Sequence, residues 1–290
     1  MLELDGVVSA VASSKKYGAL CTDTIRRIAA HELATHGNTK TAIKATKRRL
    51  HQVYGAFEWD LEYDAAYRQL ETAYRTGSES EIRATCRHLM GGHSSTRERL
   101  PILDSFYPAV FKVTGPPRSI LDMGSGLNPL ALPWMDLVSQ SGSGRATGAR
   151  YIALDIDANR VDFLNRYLAL TGLEPLARCQ DILAHPPDDT ADVALLLKMS
   201  PTLERQAPGA TLWLVERLCT SHVVVSFAIK SLGGREKGMA QHYQRQFVAW
   251  AEERQWPTEK LAFETELVFI VTKARPAQSA NHVARIALDA

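Results

Sequence analysis

The sequence predicts an α/β protein: an α-helical N-terminal region followed by a mostly parallel sheet whose last strand is antiparallel. Three observations carry this. Residues 1–112 show apolar side chains recurring at helical spacing between cap and stop signals. After Gly115-Pro116-Pro117 the texture changes to short apolar runs, SILDM (119–123), YIALDI (151–156), DVALLLKM (192–199), HVVVSFAI (222–229) and ELVFIVTK (266–273), separated by helical or irregular stretches. Such alternation predicts strands joined by crossover helices. Finally, LAFETE (261–266) and LVFIVTK (267–273) lie too close for a crossover helix, which predicts a terminal antiparallel hairpin or one bent strand.

The elements follow in order. TDTIRRIAAHELATHG (22–37) starts with Thr22 or Asp23 as cap, places Ile25, Ile28, Ala29 and Leu33 on one face, and stops at Gly37. NTKTAIKATKRRLHQVYGAF (38–57) repeats the pattern with Asn38 or Thr39 as cap and Gly55 as stop. YDAAYRQLETAYRTG (63–77) and SESEIRATCRHLMGG (78–92) are two more helices, and in the second Ser78 with Glu81 resembles a capping box. STRERLPILDSFYPAVFKVTG (95–115) reads as one further helix. SQSGSGRATGAR (139–150) is a Gly/Ser-rich surface insertion, and residues 276–290 form a tail.

The chain of 290 residues is 45% hydrophobic with a net charge of only +2, so bulk charge says little about partners. Distribution says more. Residues 1–51 carry nine Lys/Arg (Lys15, Lys16, Arg26, Arg27, Lys40, Lys44, Lys47, Arg48, Arg49) against four acids (Glu3, Asp5, Asp23, Glu32). This is either a polyanion footprint or a solvated helix face. Cys21, Cys86, Cys179 and Cys219 are widely spaced, which excludes a zinc ribbon or disulfide scaffold and suits a reducing cytoplasm. MLELDGVVSA lacks a basic signal-peptide start, and no apolar run reaches the roughly 18 residues of a membrane span. HELATH (31–36) is no metalloprotease motif, because Thr35 stands where the second His must be. No metal is expected.

The stretch most informative about a ligand is SILDMGSGLNPLALPW (119–134), a strand running into Gly124-x-Gly126. A dinucleotide fingerprint wants a third glycine, and Leu127-Asn128-Pro129 stands there instead. Asp122, just before the glycines, would repel a pyrophosphate but suit an ammonium. Asp155 and Asp181 end the next two strands, placed for ribose hydroxyls and an adenine edge. A strand-end Asp by itself is more often a turn former. The three together favour S-adenosylmethionine, which has an ammonium and no phosphate. With the sheet outline, they resemble the class I S-adenosylmethionine-dependent methyltransferase fold, which is Rossmann-like.

The acceptor is constrained by what the fourth strand end lacks. Enzymes that methylate adenine amines often carry Asn/Asp-Pro-Pro-Tyr there, and cytosine C5 enzymes a nucleophilic cysteine. This chain has LLLKMSP (195–201). Five motifs then sharpen the resemblance: SKKYGALCTDTIRRI (14–28), HSSTRERL (93–100), LDMGSGLNPLAL (121–132), LLLKMSPTLER (195–205) and SFAIKSLGGREKGM (226–239) are similar to the aminoglycoside-resistance 16S rRNA methyltransferases, which methylate N7 of guanine 1405 in the small subunit. One departure is Gly124-Ser125-Gly126 where that family usually has Ala-Cys-Gly. The resemblance implies a 16S rRNA substrate within the 30S subunit, and we expect a monomer. The chemistry agrees: guanine N7 bears a free lone pair and needs no general base, so catalysis is mainly alignment, and no catalytic acid or base is assigned. The target base must be exposed from the stack.

The same resemblance implies the site residues. His93, Ser94 and Ser95 reach the cofactor, Arg99 its methionine carboxylate, and Phe57 covers the pocket. Gly124 lies against the methionine part, Asp155 on the ribose, Asp181 and Ile182 on the adenine, with Leu197 and Gln206 flanking. For HSSTRERL the plain alternative is a helix N-cap at Ser94, Ser95 or Thr96. SLGGREKGM (231–239) is the target-side loop, with Arg235 and Lys237 for phosphates and Met239 beside a base. Lys198 either approaches the substrate or binds a helix C-terminus. The basic N-terminal helices become an rRNA-docking region, with Lys15, Lys16, Arg26, Arg27, Lys47, Arg48 and Arg49 as phosphate-contact candidates. The expected organisation is a helical docking domain over 1–112, a methyltransferase domain over 113–275 and a tail over 276–290. The alternatives are a small-molecule methyltransferase on the same fold, an adenine N1 rRNA methyltransferase, and an RNA-binding protein without catalysis.

Overall fold

The computed structural model describes residues 2–55, 61–137, 148–229 and 237–273. The chain opens with helices α1 (Leu2–Ala12), α2 (Thr22–His36) and α3 (Thr39–Leu50), the last running into a π-helical turn, His51–Gly55. The punctuation acts in part as the sequence predicts: the residue before α2 is Cys21 rather than the expected cap Thr22 or Asp23, and no side chain caps that helix. Gly37 ends α2 in the left-handed region, at φ 58, and Asn38 caps α3 by accepting from Thr41 N at 3.1 Å. These helices enclose their own small core of Val7, Val11, Ile25, Ala29, Ala42 and Leu50.

Helices α4 (Tyr63–Thr76), α5 (Glu79–Met90), α6 (Ser94–Arg99) and α7 (Leu103–Thr114) follow. Ser78 caps α5 through Glu81 N. The stretch 95–115, expected as one helix, is two, parted by a 3-10 turn at Leu100–Ile102. Pro101 is the cause, since it lacks an N–H and disfavours helical backbone before it.

The second half is β1 (Ser119–Met123), a 3-10 segment Asn128–Trp134, β2 (Arg150–Asp155), α8 (Ala158–Leu170), β3 (Leu176–Cys179), β4 (Thr190–Leu197), α9 (Ser200–Gln206), α10 (Ala210–Arg217), β5 (Cys219–Ala228), α11 (Lys237–Glu253), β6 (Thr258–Ala262) and β7 (Glu266–Thr272). The seven-stranded sheet has the order β3-β2-β1-β4-β5-β7-β6. Its first five strands run parallel, and β7 pairs antiparallel with both β5 and β6. The predicted terminal hairpin is therefore present, with β7 inserted beside β5.

Side chains alternate across the sheet. Ile120, Ala153, Val193, Leu195 and Ile270 face a core shared with α4, α5, α7 and α8. Leu121, Ile152, Ala194, Leu196 and Phe269 face a second core under α9, α10 and α11. Buried residues of α4, α5 and α7 thus pack in the same core as one face of the sheet. The α1–α3 unit instead sits at the C-terminal end of β2. Leu20 bridges Asp157, Cys21 N donates to Ile156 O at 2.7 Å, and Ala158 N donates to Ala19 O at 2.8 Å. The strand order reverses between β1 and β4, where open α/β sheets form a ligand crevice at the strands' C-terminal ends. No described helix is long and apolar enough to cross a membrane.

Candidate cofactor pocket and RNA-facing surface

The crevice is a pocket open to solvent, with about 800 Å³ of empty space in the pocket and its mouth together. Its floor is the turn after β1. Gly124 and Gly126 both take positive φ, 64 and 52, which side-chain-bearing residues rarely adopt. Close packing adds a second demand: a Cβ on Gly126 would lie 2.8 Å from the His93 ring. The turn is pinned by Ser125 N on Leu154 O (3.0 Å) and Gly126 N on Asp155 Oδ2 (2.9 Å).

Asp155 and Asp181 line the pocket at successive strand ends, as the sequence predicts. Asp155 accepts from Gly126 N, Asp157 N and the Arg160 guanidinium (2.9 Å). Burial opposes its ionisation, but Arg160 and the backbone donors outweigh burial and hold it below the usual carboxylate range. Asp181 accepts from Leu183 N and Ala184 N through Oδ1, and from Arg27 through Oδ2. His93, Ser95, Gly124, Ile182, Leu197 and Gln206 also line the pocket. His93 is the residue before α6, where a Ser or Thr cap was the plain reading, and its side chain makes no cap. Burial pushes its pKa down to about 3, so the ring is neutral.

Three expected cofactor residues stand elsewhere. Asp122 shares strand parity with Ile120, so its side chain turns under the sheet toward α7. There it is 1% exposed, accepting from Tyr151 Oη (2.6 Å) and Asn128 Nδ2 (2.9 Å). Arg99 is also 1% exposed, and its guanidinium is committed to Glu266 (3.0 Å) and Asn128 Oδ1 (2.9 Å). Neither is among the residues that line the pocket. Ser94 is buried behind the wall. Phe57 lies outside the described residues.

Lys198 does line the pocket, at a strained φ of 60 after β4. Its Nζ donates to Ser95 O (3.0 Å) and pairs with Glu98 (2.7 Å) and Glu266 (3.1 Å), so it braces α6 against the sheet rather than standing free. Sequence reasoning missed Arg160, Tyr54, Thr24 and Met199 in the wall. A signal for Arg160 existed in DIDANR (155–160): Asp157 caps α8, which brings Arg160 back over Asp155. Arg235 and most of the target-side loop lie outside the described residues. Lys237 and Met239 are in the first turn of α11.

The predicted RNA-contact residues separate into two groups. Arg27 turns inward to the pocket, Arg26 pairs with Asp5 at 2.8 Å, and Arg49 pairs with Glu32 at 3.7 Å. Among the described residues no ion pair holds Lys15, Lys47 or Arg48, nor Lys40 and Lys44. Lys16 is exposed beside His51, 3.2 Å away. Positions 40, 44, 47, 48 and 51 share one stripe of α3 and its π-turn extension, and that turn also carries Tyr54 of the pocket wall.

Comparison with known proteins places this geometry. Residues 13–270 match the family model described as ribosomal RNA methyltransferase (FmrO). The chain is 38% identical to a 16S rRNA (guanine(1405)-N(7))-methyltransferase of Micromonospora echinospora, covering 93% of this chain and 97% of the relative. A protein of the same description from Frankia casuarinae is 40% identical over 93% of this chain and 94% of its own. Among solved structures, 16S rRNA methyltransferase RmtF in complex with S-adenosyl-L-homocysteine superposes with a TM-score of 0.77 at 30% identity, covering 94% of this chain and 98% of that one. The 16S rRNA methylase RmtB gives 0.73 at 28% identity over 93% and 98%. The chain belongs to the FmrO family of ribosomal RNA methyltransferases, S-adenosylmethionine-dependent enzymes of the class I fold.

Proposed function

We propose that this protein transfers the methyl group of S-adenosylmethionine to N7 of guanine 1405 of 16S rRNA in the 30S subunit, and thereby confers aminoglycoside resistance. The observation that carries the reading is a pocket at the β1/β4 switch point, walled by Asp155 and Asp181, in a chain aligned nearly end to end with relatives of that activity.

The residues present fit the cofactor. Gly124 borders the pocket with the Met199 side chain packed where a Cβ would stand, Asp155 offers carboxylate oxygens for ribose hydroxyls, and Asp181 with Ile182 borders the adenine end. Ser95, His93 and Lys198 surround the remaining wall. When bound, the cofactor supplies an electrophilic methyl on a sulfonium. The protein's part is alignment and exclusion of water, because guanine N7 has no proton to lose. His93 fits this, since burial keeps its ring from taking up the extra proton that a general acid would deliver.

The docking region is the α1–α3 unit, whose unpaired stripe Lys40, Lys44, Lys47 and Arg48, with Lys15 and Lys16, suits the RNA backbone. Helices α4, α5 and α7 pack with the methyltransferase sheet. The enzyme acts as a cytoplasmic monomer, and the product carries a fixed positive charge that repels polycationic drugs.

The test is methyl transfer from labelled S-adenosylmethionine to unmethylated 30S subunits, with the base mapped by N7-specific chain cleavage. Cleavage at one decoding-site guanine supports the whole reading. Labelled rRNA without that cleavage overturns the N7 assignment. Label on neither subunit nor free rRNA overturns the RNA substrate.

A further inference from the structure

Arg26 and Arg27 are adjacent on α2, yet they face opposite ways. Arg26 points to solvent and Asp5, while Arg27 crosses from the helical unit into the cofactor pocket. Its Nε donates to Asp181 Oδ2 at 3.0 Å and its Nη2 to Gln206 Oε1 at 2.8 Å. The other oxygen of Asp181 accepts from Leu183 N and Ala184 N of its own turn. The carboxylate is therefore clamped from two sides, one in the sheet region and one in the α1–α3 unit. Thr24, Val53 and Tyr54 of that unit also line the pocket, and Tyr54 Oη donates to Asp157 at 2.6 Å.

A carboxylate beside a guanidinium is an acceptor beside a donor. Adenine presents the complement on one edge, an exocyclic amine next to a ring nitrogen acceptor. Hypoxanthine replaces the amine with an oxygen and would face the Asp181 carboxylate with an acceptor. We propose that Arg27, supplied by the N-terminal helical unit, is a positioning residue of the cofactor site. With Asp181 it sets the adenine end of the pocket, which is complete only when the α1–α3 unit is seated on β2. This rests on the reading of the pocket as the S-adenosylmethionine site.

The test is calorimetric titration of the full chain with S-adenosylhomocysteine and with S-inosylhomocysteine, which lacks the amine. Wild type should favour the adenine compound. Arg27→Met should weaken the adenine compound about tenfold, the scale of a hydrogen bond to a charged group. It should leave the inosine compound within about twofold, so that discrimination collapses. Arg27→Lys should restore part of it. Arg27→Met combined with Asp181→Asn should be no weaker than Asp181→Asn alone, because the two act as one unit. Asp5→Asn, which breaks the Arg26 pair on the same helix unit, should change neither affinity. If Arg27→Met folds poorly, Gln206→Leu removes the guanidinium's other partner without altering charge, and should weaken the adenine compound selectively. Equal weakening of both compounds, or adenine-compound affinity within twofold of wild type in both Arg27→Met and Gln206→Leu, overturns the proposal. Wild type binding neither compound would overturn the pocket reading and this proposal together.

Discussion

Arg99 and Asp122 show how much a residue's surroundings depend on the partners that packing brings to it. Both were expected at the cofactor, and both belong to a buried chain of polar groups running from Asp122 through Asn128 to Arg99, Glu266 and Lys198. Burial pushes the Glu266 carboxyl up, and the charges of Arg99 and Lys198 outweigh it, so Glu266 stays ionised inside the core. Arg99→Met would leave that charge half-compensated, and breaking one side of a buried pair costs about 3–5 kcal/mol. Urea unfolding should show a loss of that order. If Arg99 served only a cofactor carboxylate, stability would barely move while cofactor affinity fell. Asp122 behaves oppositely, because burial raises its pKa to about 6 from 3.8. The folded state then holds this proton more tightly than the unfolded chain does. The stability it contributes is fully present below about 3.8 and is lost as pH rises through about 6. Asp122→Asn should flatten the fall in unfolding free energy between those two values, and an unchanged slope would remove Asp122 as its source.

Among the elements, the turn between β1 and the 3-10 segment is the most constrained. Gly126 needs a left-handed backbone and also space beside His93. Gly126→Ala should therefore cost about 1 kcal/mol or more in stability, with a loss of S-adenosylhomocysteine affinity. Adding His93→Ala should recover the steric part but not the backbone part. A double-mutant cycle on thermal midpoints measures the difference, and strict additivity would mean the ring and the Cβ never meet. The strands were legible because apolar, β-rich runs between turn signals leave few other readings, and Gly37 and Ser78 punctuated the helices as expected. The broken helix at Pro101 was carried in the sequence too, but apolar periodicity ran across it and concealed the break.

In the whole molecule, the basic excess of the first 51 residues resolves into cations already paired and cations left to solvent. Replacing Lys44, Lys47 and Arg48 together by Gln should weaken 30S binding across salt concentrations. It should also lower the magnitude of the log–log salt slope by about 1 for each phosphate no longer neutralised. Cofactor affinity should stay the same, since none of the three lines the pocket. A parallel fall in cofactor affinity would show that the stripe supports the fold instead.

The sequence alone determined the fold class, the glycine turn, the acids at successive strand ends and the family resemblance. All of these are written in local order, in periodicity, caps, turn residues and short motifs. Tertiary structure decided which of the named side chains meet. Asp122 and Asp155 share one face of the sheet by parity, but Asp122 stands one residue short of the end of β1 and is buried in the core, while Asp155 is the last residue of β2 and reaches the pocket. The seating of the α1–α3 unit just beyond the end of β2 put Arg27 in the wall of the pocket, against Asp181. Contacts between residues more than 150 apart in the chain, such as Arg27 with Asp181 or Arg99 with Glu266, leave no local trace in spacing or composition. They arise only when tertiary packing brings distant elements to one place.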